Sequence, residues 1–246
     1  MISDEHQIRA LSFGGVADLY ERARPGYPDD AVAWMTGGTP IRVLDLGAGT
    51  GKLTRSLAEA GHDVVAVEPS QAMLAQLQAT LPRVEAFPGS AESIPLPDAS
   101  VDVVTVAQAF HWFDQAAALP EIARVIRPGG HLSLIWNLRD GSVPWVDELW
   151  SVMSPEENMQ QAIAALSSGT LFDAPITAMF THEQQLNRDS LVALVRSRSY
   201  VALLPEDELA DVMAAADDIY DRHAEPDGLT LPYVTHAFRL AKVAEA

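Results

Sequence analysis

The sequence predicts an α/β fold, a mostly parallel sheet doubly wound by helices on both faces. Three observations predict it. Short apolar runs of strand length recur between residues 41 and 136, and amphipathic segments of helical length lie between them. The first run, Val43-Leu44-Asp45-Leu46, leads into a glycine-rich turn, Gly47-Ala48-Gly49-Thr50-Gly51, which opens onto an amphipathic stretch from Leu53 to Ala60. Another acid, Glu68, follows the next apolar run about 20 residues after Gly47. Strand, tight loop and helix start, in that order, are how such a sheet holds a nucleotide-like ligand.

Taken in order, residues 1–36 precede the first core strand. Ala17 to Ala23 reads as helix, and Arg24-Pro25-Gly26-Tyr27-Pro28 breaks it, because each proline disfavours helix in the residue before it. Asp29 or Asp30 can cap a second helix running through Trp34 and Met35. Ile41 to Leu46 is the first strand and Lys52 to Ala60 the first core helix, stopped by Gly61. Asp63 to Val67 is the second strand, with Glu68 at its end; Pro69 follows, and Ser70 can cap a helix from Gln71 to Thr80. Arg83 to Phe87 is the third strand, 89–98 a loop, and Val101 to Ala107 the fourth strand. Asp114 can cap a helix from Gln115 to Ile126, Arg127-Pro128-Gly129-Gly130 ends it, and His131 to Trp136 is the fifth strand.

After residue 137 the alternation lapses. Val146 to Met153 and Met159 to Leu166 read as short amphipathic helices, an insertion over the C-terminal edge of the sheet. Ile176 to Leu186 is the sixth strand, Asp189 to Arg198 and Glu206 to Arg222 are helices, and Leu229 to Lys242 is the last strand. The chain is read as one domain: 1–36 a leader, 37–137 the ligand-binding core, 138–175 the helical insertion, and 176–246 the C-terminal strands and helices.

Spacing separates the ligands a glycine turn can hold. A phosphate-cradling P-loop ending at Gly51-Lys52 needs Gly at 46 and a hydroxyl at 53; Leu46 and Leu53 stand there. A dinucleotide fingerprint starting at Gly47 needs a third glycine at 52; Lys52 stands there, which counts against NAD. Glu68 suits an acid accepting from both hydroxyls of a ribose, with a solvated strand-end acid as the plainer alternative; a 2′-phosphate would prefer Arg, which disfavours NADP.

What remains, Asp45-x-Gly47-x-Gly49-x-Gly51, resembles motif I of class I S-adenosylmethionine-dependent methyltransferases. Other runs resemble the type 11 small-molecule group of that family, which includes trans-aconitate methyltransferases. They are Tyr20-x-x-x-Arg24-Pro25-x-Tyr27-Pro28 in the leader, Ser90-Ala91-x-x in the loop, and Ala107-x-x-x-His111-Trp112-Phe113-Asp114 after the fourth strand. The run Glu121-x-x-Arg124-Val125-Ile126-Arg127-Pro128-Gly129-Gly130-x-Leu132 is similar as well. The resemblance implies a Rossmann-like, seven-stranded sheet with the last strand antiparallel, and a helical lid over the cofactor. It implies S-adenosyl-L-methionine as cofactor and S-adenosyl-L-homocysteine as product. The residues it puts at the cofactor are Tyr20, Arg24, Asp45, Gly47, Ala48, Gly49, Thr50, Gly51, Glu68, Pro69, Ser70, Met73, Ser90, Ala91, Glu92, Ala107 and Gln108. Ser90 departs from the family's usual Asp, so the adenine contact shifts to the Ala91 amide and the Glu92 carboxylate. Tyr27, His111, Trp112, Trp136, Asn137 and Arg139 are the expected acceptor contacts, and the favoured reaction is metal-independent O-methylation of a small molecule. N- or C-methylation and a non-catalytic cofactor-binding module stand as alternatives.

His111 is the candidate catalytic group. Its ordinary pKa of about 6.5 lets it take an acceptor's proton near neutrality. Positioning the cofactor or substrate, or a purely structural role, is also open for it. The segment after the fourth strand carries no proline pair to grip an amide or base, and Gln108 cannot replace the aspartate that holds magnesium in catechol-type enzymes. Arg196, Arg198 and Tyr200 can reach an acceptor pocket, although a solvated helix end is the simpler reading.

Composition excludes other classes. The net charge is −18, and Lys52 and Lys242 are the only lysines, so most of the surface repels nucleic acid and anionic membrane. The same acid excess also serves solubility. Without cysteine there is no disulfide, thiolate nucleophile or zinc–thiolate site. The remaining histidines show no metal-ligand spacing and no Gly-x-Ser-x-Gly elbow is present. No apolar run reaches the roughly 20 residues that span a bilayer, and Met1 to Ala10 lacks the basic start and apolar core of a signal peptide. These features favour a cytoplasmic protein, a monomer or homodimer, acting on a small-molecule substrate.

Overall fold

The computed structural model describes residues 23–153, 170–198, 201 and 204–244. Its sheet has seven strands: β1 Arg42–Leu46, β2 Asp63–Glu68, β3 Glu85–Pro88, β4 Val101–Ala107, β5 Ile126–Arg139, β6 Ile176–Leu186 and β7 Leu229–Ala241, in the spatial order β3-β2-β1-β4-β5-β7-β6. Pairings from β3 across to β5 are parallel, and β7 runs antiparallel between β5 and β6. The helices are α1 Asp29–Thr36, α2 Lys52–Glu59, α3 Gln71–Thr80, α4 Gln115–Val125, α5 Pro144–Met153, α6 Arg188–Arg196 and α7 Glu206–His223.

Alternation along β1 explains how both faces are covered. Successive strand residues point to opposite sides. Leu44 and Leu46 join Phe110, Ile122 and Val125 on the α4 side, whereas Val43 joins Met35, Leu53 and Leu57 on the α1–α2 side. Each of these is at most 2% exposed, and each contributes about 2 kcal/mol of apolar burial. A further cluster, built from Trp145, Leu149, Trp150, Leu194, Val195 and Ile219, packs α5, α6 and α7 beside β7.

Several boundaries shift from the expected ones. Strand β5 already begins at Ile126, because Val101 pairs with Ile126 and Val103 with His131. The Arg127–Gly130 turn is therefore a bulge inside the strand rather than a loop before it. Strand β3 is displaced to Glu85–Pro88, and α6 stops at Arg196. Asp114 caps α4 through the Ala116 amide at 3.2 Å as expected. Pro28, not an aspartate, takes the N-cap of α1, with Asp29 and Asp30 in its first turn. Ser70 is the N-cap of α3, but its side chain makes no capping bond. The expected helix over Met159 to Leu166, most of that over Ala17 to Ala23, and Tyr20 and Tyr200 lie outside the described residues.

The described part of the leader is tied to late parts of the chain. Arg24 donates through Nε to the Ser197 hydroxyl at 2.9 Å and through Nη2 to the Ser197 carbonyl at 3.2 Å. Gln184 donates to the Ala23 carbonyl and Asn137 to the Gly26 carbonyl, both at 2.9 Å. These bonds hold Tyr27 over the C-terminal ends of the strands.

Candidate functional site

A cleft of about 220 Å³ opens where β1 and β4 diverge, the switch point at which open α/β sheets bind ligands. Its floor is the turn between β1 and α2. The amides of Gly47 and Ala48 donate to the Val67 carbonyl at 2.8 and 3.2 Å, fastening the turn to β2. Gly47 has φ +70°, and a Cβ there would stand 2.9 Å from the Ala109 Cβ. A side chain at 47 would therefore be strained and would close the gap between turn and β4. Gly51, at φ +93°, faces Leu77 in the same way from the outer side.

Glu68 is the organising acid of the floor. Its Oε2 accepts the Gly49 amide and its Oε1 the Ser70 amide, each at 2.8 Å. One carboxylate thus joins the glycine turn to the start of α3. It is 5% exposed and lines the cleft. Burial pushes its carboxyl up, and the Ser70 and Gly49 amides pull back. A carboxylate offers about four acceptor positions, so two remain for hydroxyls in the cleft.

Asp45 does not reach the cleft. It is fully buried behind the turn, with Oδ2 accepting the Thr54 hydroxyl at 2.6 Å and Oδ1 buried without a partner. Burial is the main cause of a carboxyl pushed up to about 7, against the opposing Thr54 bond. Its expected cofactor contact gives way to an internal bond between β1 and α2.

The structure brings Tyr27, Gly47, Ala48, Gly49, Thr50, Glu68, Pro69, Met73, Ser90, Ala91, Glu92, Ala107, Gln108 and Trp112 to the cleft wall. Glu92 also accepts the Asp114 amide at 3.0 Å, which pins the Ser90–Glu92 loop to the start of α4. Arg124 holds that loop from beneath, donating to the carbonyls of Ile94 and Leu96 and to Asp98 and Glu121.

Other expected contacts are placed elsewhere. Gly51 and Ser70 support the turn without lining the cleft. Trp136 is 3% exposed and packs edge-on against Phe238 in the core, because its position on β5 faces α4 and not the strand end. His111 sits on a single 3₁₀ turn, Phe110–Trp112, its ring 4.7 Å from the Trp112 ring, and lines neither cavity. Arg139 lies over Trp150 at 4.7 Å.

Arg24 and Asn137 line a second cavity of about 20 Å³ with Pro25, Tyr27, Lys52, Gln108, Arg198 and Tyr233. Tyr27, Lys52 and Gln108 border both spaces. The sequence offers Lys52 only as grounds to exclude other loops, and offers Arg198 either a solvated helix end or reach into an acceptor pocket. Arg196 is indeed exposed, but Arg198 is 9% exposed with its guanidinium 5.0 Å from the Trp150 ring. Phe113, Gly89 and Ala109 were missed as cleft walls; the aromatic run Phe110 to Phe113 was the available signal.

Gln108 is strained, with φ +56° at the end of β4. Its amide donates to the Ile135 carbonyl at 3.0 Å and its Nε2 to the Asn137 carbonyl at 3.1 Å. Strain held by two bonds at the join of two cavities marks a positioned side chain.

The residues fit S-adenosylmethionine. Glu68 retains acceptor positions for a ribose, and the only described cation on the cleft wall is Lys52, on the turn side rather than on β2, so nothing at Glu68 suits a 2′-phosphate. Among the described residues no group of three or more His, Asp or Glu gathers as for a metal, and no helix is long and apolar enough to cross a membrane.

Residues 44–134 match the family described as "Methyltransferase domain". An uncharacterized methyltransferase of Mycobacterium tuberculosis is 44% identical over 237 residues, covering 94% of this chain and 95% of the relative. One from Schizosaccharomyces pombe is 37% identical, covering 93% and 95%. A malonyl-[acyl-carrier protein] O-methyltransferase of Pectobacterium atrosepticum is 31% identical over 61% of each chain. Among solved structures, one described as a type II methyltransferase from Anaeromyxobacter dehalogenans superposes with a TM-score of 0.69 at 27% identity, covering 91% of this chain and 99% of that one.

Proposed function

Because the chain belongs to the methyltransferase family, as a class I S-adenosylmethionine-dependent enzyme, we propose that it methylates an oxygen, carboxylate or hydroxyl, of a small molecule. The observation that carries this reading is the cleft wall. Tyr27 of the leader and the Trp112–Phe113 aromatics line the same 220 Å³ space as the glycine turn. A half-open cleft lined in this way suits a cofactor and a compact acceptor. The O-methyltransferase relative supports oxygen as the acceptor atom, and the −18 charge supports an acceptor that is neither nucleic acid nor membrane, met in the cytoplasm.

Glu68 would hold the ribose hydroxyls, Ala91 and Glu92 the adenine edge, and the Gly47–Gly49 backbone the methionyl end. When bound, S-adenosylmethionine supplies an electrophilic methyl group on a sulfonium that is already a good leaving group. The protein's share is alignment and exclusion of water. Gln108 and Tyr27 set the line of approach, and Trp112 and Phe113 keep the reacting centre dry. A carboxylate acceptor is ionised near neutrality and needs no base. For that acceptor His111 acts through Trp112, against which its ring is tilted.

The test is transfer of labelled methyl from S-adenosylmethionine to a panel of acids, alcohols and amines, with the product bond identified by mass spectrometry. Methyl esters or ethers are expected. N- or C-methylated products would overturn the oxygen assignment. Tight S-adenosylhomocysteine binding with no turnover across the panel would make the protein a binding module.

A further inference from the structure

We infer that neutral His182 is the positioning residue that fastens the leader over the cleft, and that its protonation unfastens the leader. Tyr27 is held this way whichever ligand the cleft takes. Two lines of side chains run from this one imidazole to the leader. Along the first, His182 Nδ1 lies 3.2 Å from the Thr235 hydroxyl, Thr235 donates to the Asn137 amide oxygen at 2.7 Å, and Asn137 donates to the Gly26 carbonyl at 2.9 Å. Along the second, the His182 ring is stacked on Tyr233, centroids 5.1 Å apart and planes 13° from parallel. The Tyr233 hydroxyl donates to Gln184 Oε1 at 3.2 Å, and Gln184 Nε2 donates to the Ala23 carbonyl at 2.9 Å. His182 and Tyr233 are direct partners across β6 and β7, so the sheet itself sets the stack.

The donors of the first line can run only one way. The Gly26 carbonyl only accepts, so the Asn137 nitrogen faces it and the Asn137 oxygen faces Thr235. The Thr235 hydroxyl gives its one proton to that oxygen and towards His182 can only accept. His182 Nδ1 therefore carries a proton, and in the neutral ring Nε2 carries the lone pair. That Nε2 is buried without a hydrogen-bond partner. A second proton would put a charged N–H in a buried place that offers it no acceptor. The cover over the ring includes the continuation of the leader, because Asp30, two residues after Pro28, acts on it. Strand β6 is the edge of the sheet, so water reaches the ring when that cover lifts.

Asp30 favours the charged ring, but burial is the larger influence and pushes the His182 imidazole below its usual value. Other charged groups on the surrounding elements have other settings. Asp29 stands beside Asp30 in the first turn of α1. Glu183 on β6 and His236 on β7 lie on the opposite face of the sheet. Arg139 on β5 lies over Trp150, Arg239 on β7 over Trp34, and Arg24 is bonded to Ser197. On α6, Arg188 pairs with Asp217 and Asp221, Asp189 is in the first turn and Arg196 in the last. Lifting the leader therefore takes up a proton once pH falls below about 6.5, the value of an exposed imidazole. The hold is full above that value, weakens as pH falls through it, and weakens no further once the covered ring is protonated too.

The test is amide hydrogen exchange of the full chain at pH 7.5 and pH 5.5, each rate divided by the intrinsic rate at that pH. Protection at Arg24, Gly26 and Tyr27 should be about fivefold or more lower at pH 5.5, while protection at Leu44 in β1 and Val104 in β4 does not fall. No selective fall at the leader would overturn the inference. His182→Asn keeps an amide donor towards Thr235 and takes up no proton, so its leader protection should change by less than about twofold between the two values. A fall of native size in that variant would also overturn the inference, by assigning the effect to another group such as His131, whose Nε2 meets the Met35 carbonyl. If His182→Asn fails to fold, the native protein decides by NMR. The His182 ring and the Gly26 and Tyr27 amides should then titrate with one shared midpoint below about 6.5. A ring that titrates at that value or above, or leader amides that do not follow the ring, would overturn the inference equally.

Discussion

Asn137, near the end of β5, donates its side-chain amide to the carbonyl of Gly26, 111 residues earlier in the chain, at 2.9 Å. Its amide oxygen meanwhile accepts the Thr235 hydroxyl at 2.7 Å. Both ends of this amide are therefore committed to the protein, where they tie the leader to the sheet. Asn137→Leu removes both bonds and leaves the buried Thr235 hydroxyl with His182 Nδ1, at 3.2 Å, as its side-chain partner. A loss of about 1–3 kcal/mol in urea unfolding is expected, with faster amide hydrogen exchange at Gly26 and Tyr27. Unchanged exchange would mean the leader is held without this residue.

Glu68 offers a cleaner test of the cofactor site than its burial suggests, because Glu68→Gln keeps the size and one acceptor oxygen. The amide nitrogen of Gln cannot accept from Gly49 or Ser70, so the turn loses one fastening and the ribose loses a charged acceptor. Affinity for S-adenosylhomocysteine should drop at least tenfold, about 1.4 kcal/mol, by calorimetry. Native affinity in both Glu68→Gln and Glu68→Ala would remove the ribose assignment.

Asp45 imposes a pH dependence on stability. Its carboxyl, pushed up to about 7 by burial and then by nearby Glu68, holds its proton more tightly when folded than when unfolded. The stabilisation from that proton is full below about pH 4 and is lost as pH rises towards 7. Asp45→Asn, which has no charge to bury, should therefore raise the unfolding temperature relative to native protein more at pH 8 than at pH 5. An equal difference at the two values would show that Asp45 titrates normally. Glu68→Gln should narrow the difference, since the Glu68 charge helps raise the Asp45 carboxyl.

Gln108 sets local stability against function. At φ +56° a glycine relieves strain, so Gln108→Gly should stabilise the fold by about 0.5–1 kcal/mol, whereas Gln108→Ala should not. Both variants lose the bond to the Asn137 carbonyl, and both should turn over more slowly. A Gly variant no more stable than the Ala variant would show that the backbone is unstrained there.

His111→Ala distinguishes a base from a support. With its ring against Trp112 and outside both cavities, His111 should raise the acceptor KM when removed and leave the pH profile of kcat unchanged. Disappearance of an ionisation from that profile would instead make it the general base.

Much of this architecture was legible in the residues. Period and glycine placement located strands β1, β2 and β4 to within a residue, because a buried parallel strand must be apolar and the turn after it needs positive φ at Gly47 and Gly51. Glu68 was legible by its distance from the turn. Three things were not. Trp136 looked available at a strand end, but which face of β5 it occupies depends on the bulge at 127–130, a register effect between strands. Arg198 looked solvated because nothing local shows Trp150 arriving from α5. Asp45 looked like a ligand contact because sequence cannot tell a carboxylate beside a turn from one beneath it.

The ties of the leader bear on the order of events during synthesis. Ala23, Arg24 and Gly26 are among the earlier described residues to leave the ribosome, yet their partners Asn137, Gln184 and Ser197 lie 111 to 173 residues further on. Trp34 waits longer still, for Arg239, 205 residues away. Closing loops of that length is slow and depends on the sheet having formed first. The nascent chain can thus assemble the glycine-turn side of its cleft from β1 to β4 well before Tyr27 has anything to rest on. The leader side is finished only once β7 has been threaded between β5 and β6.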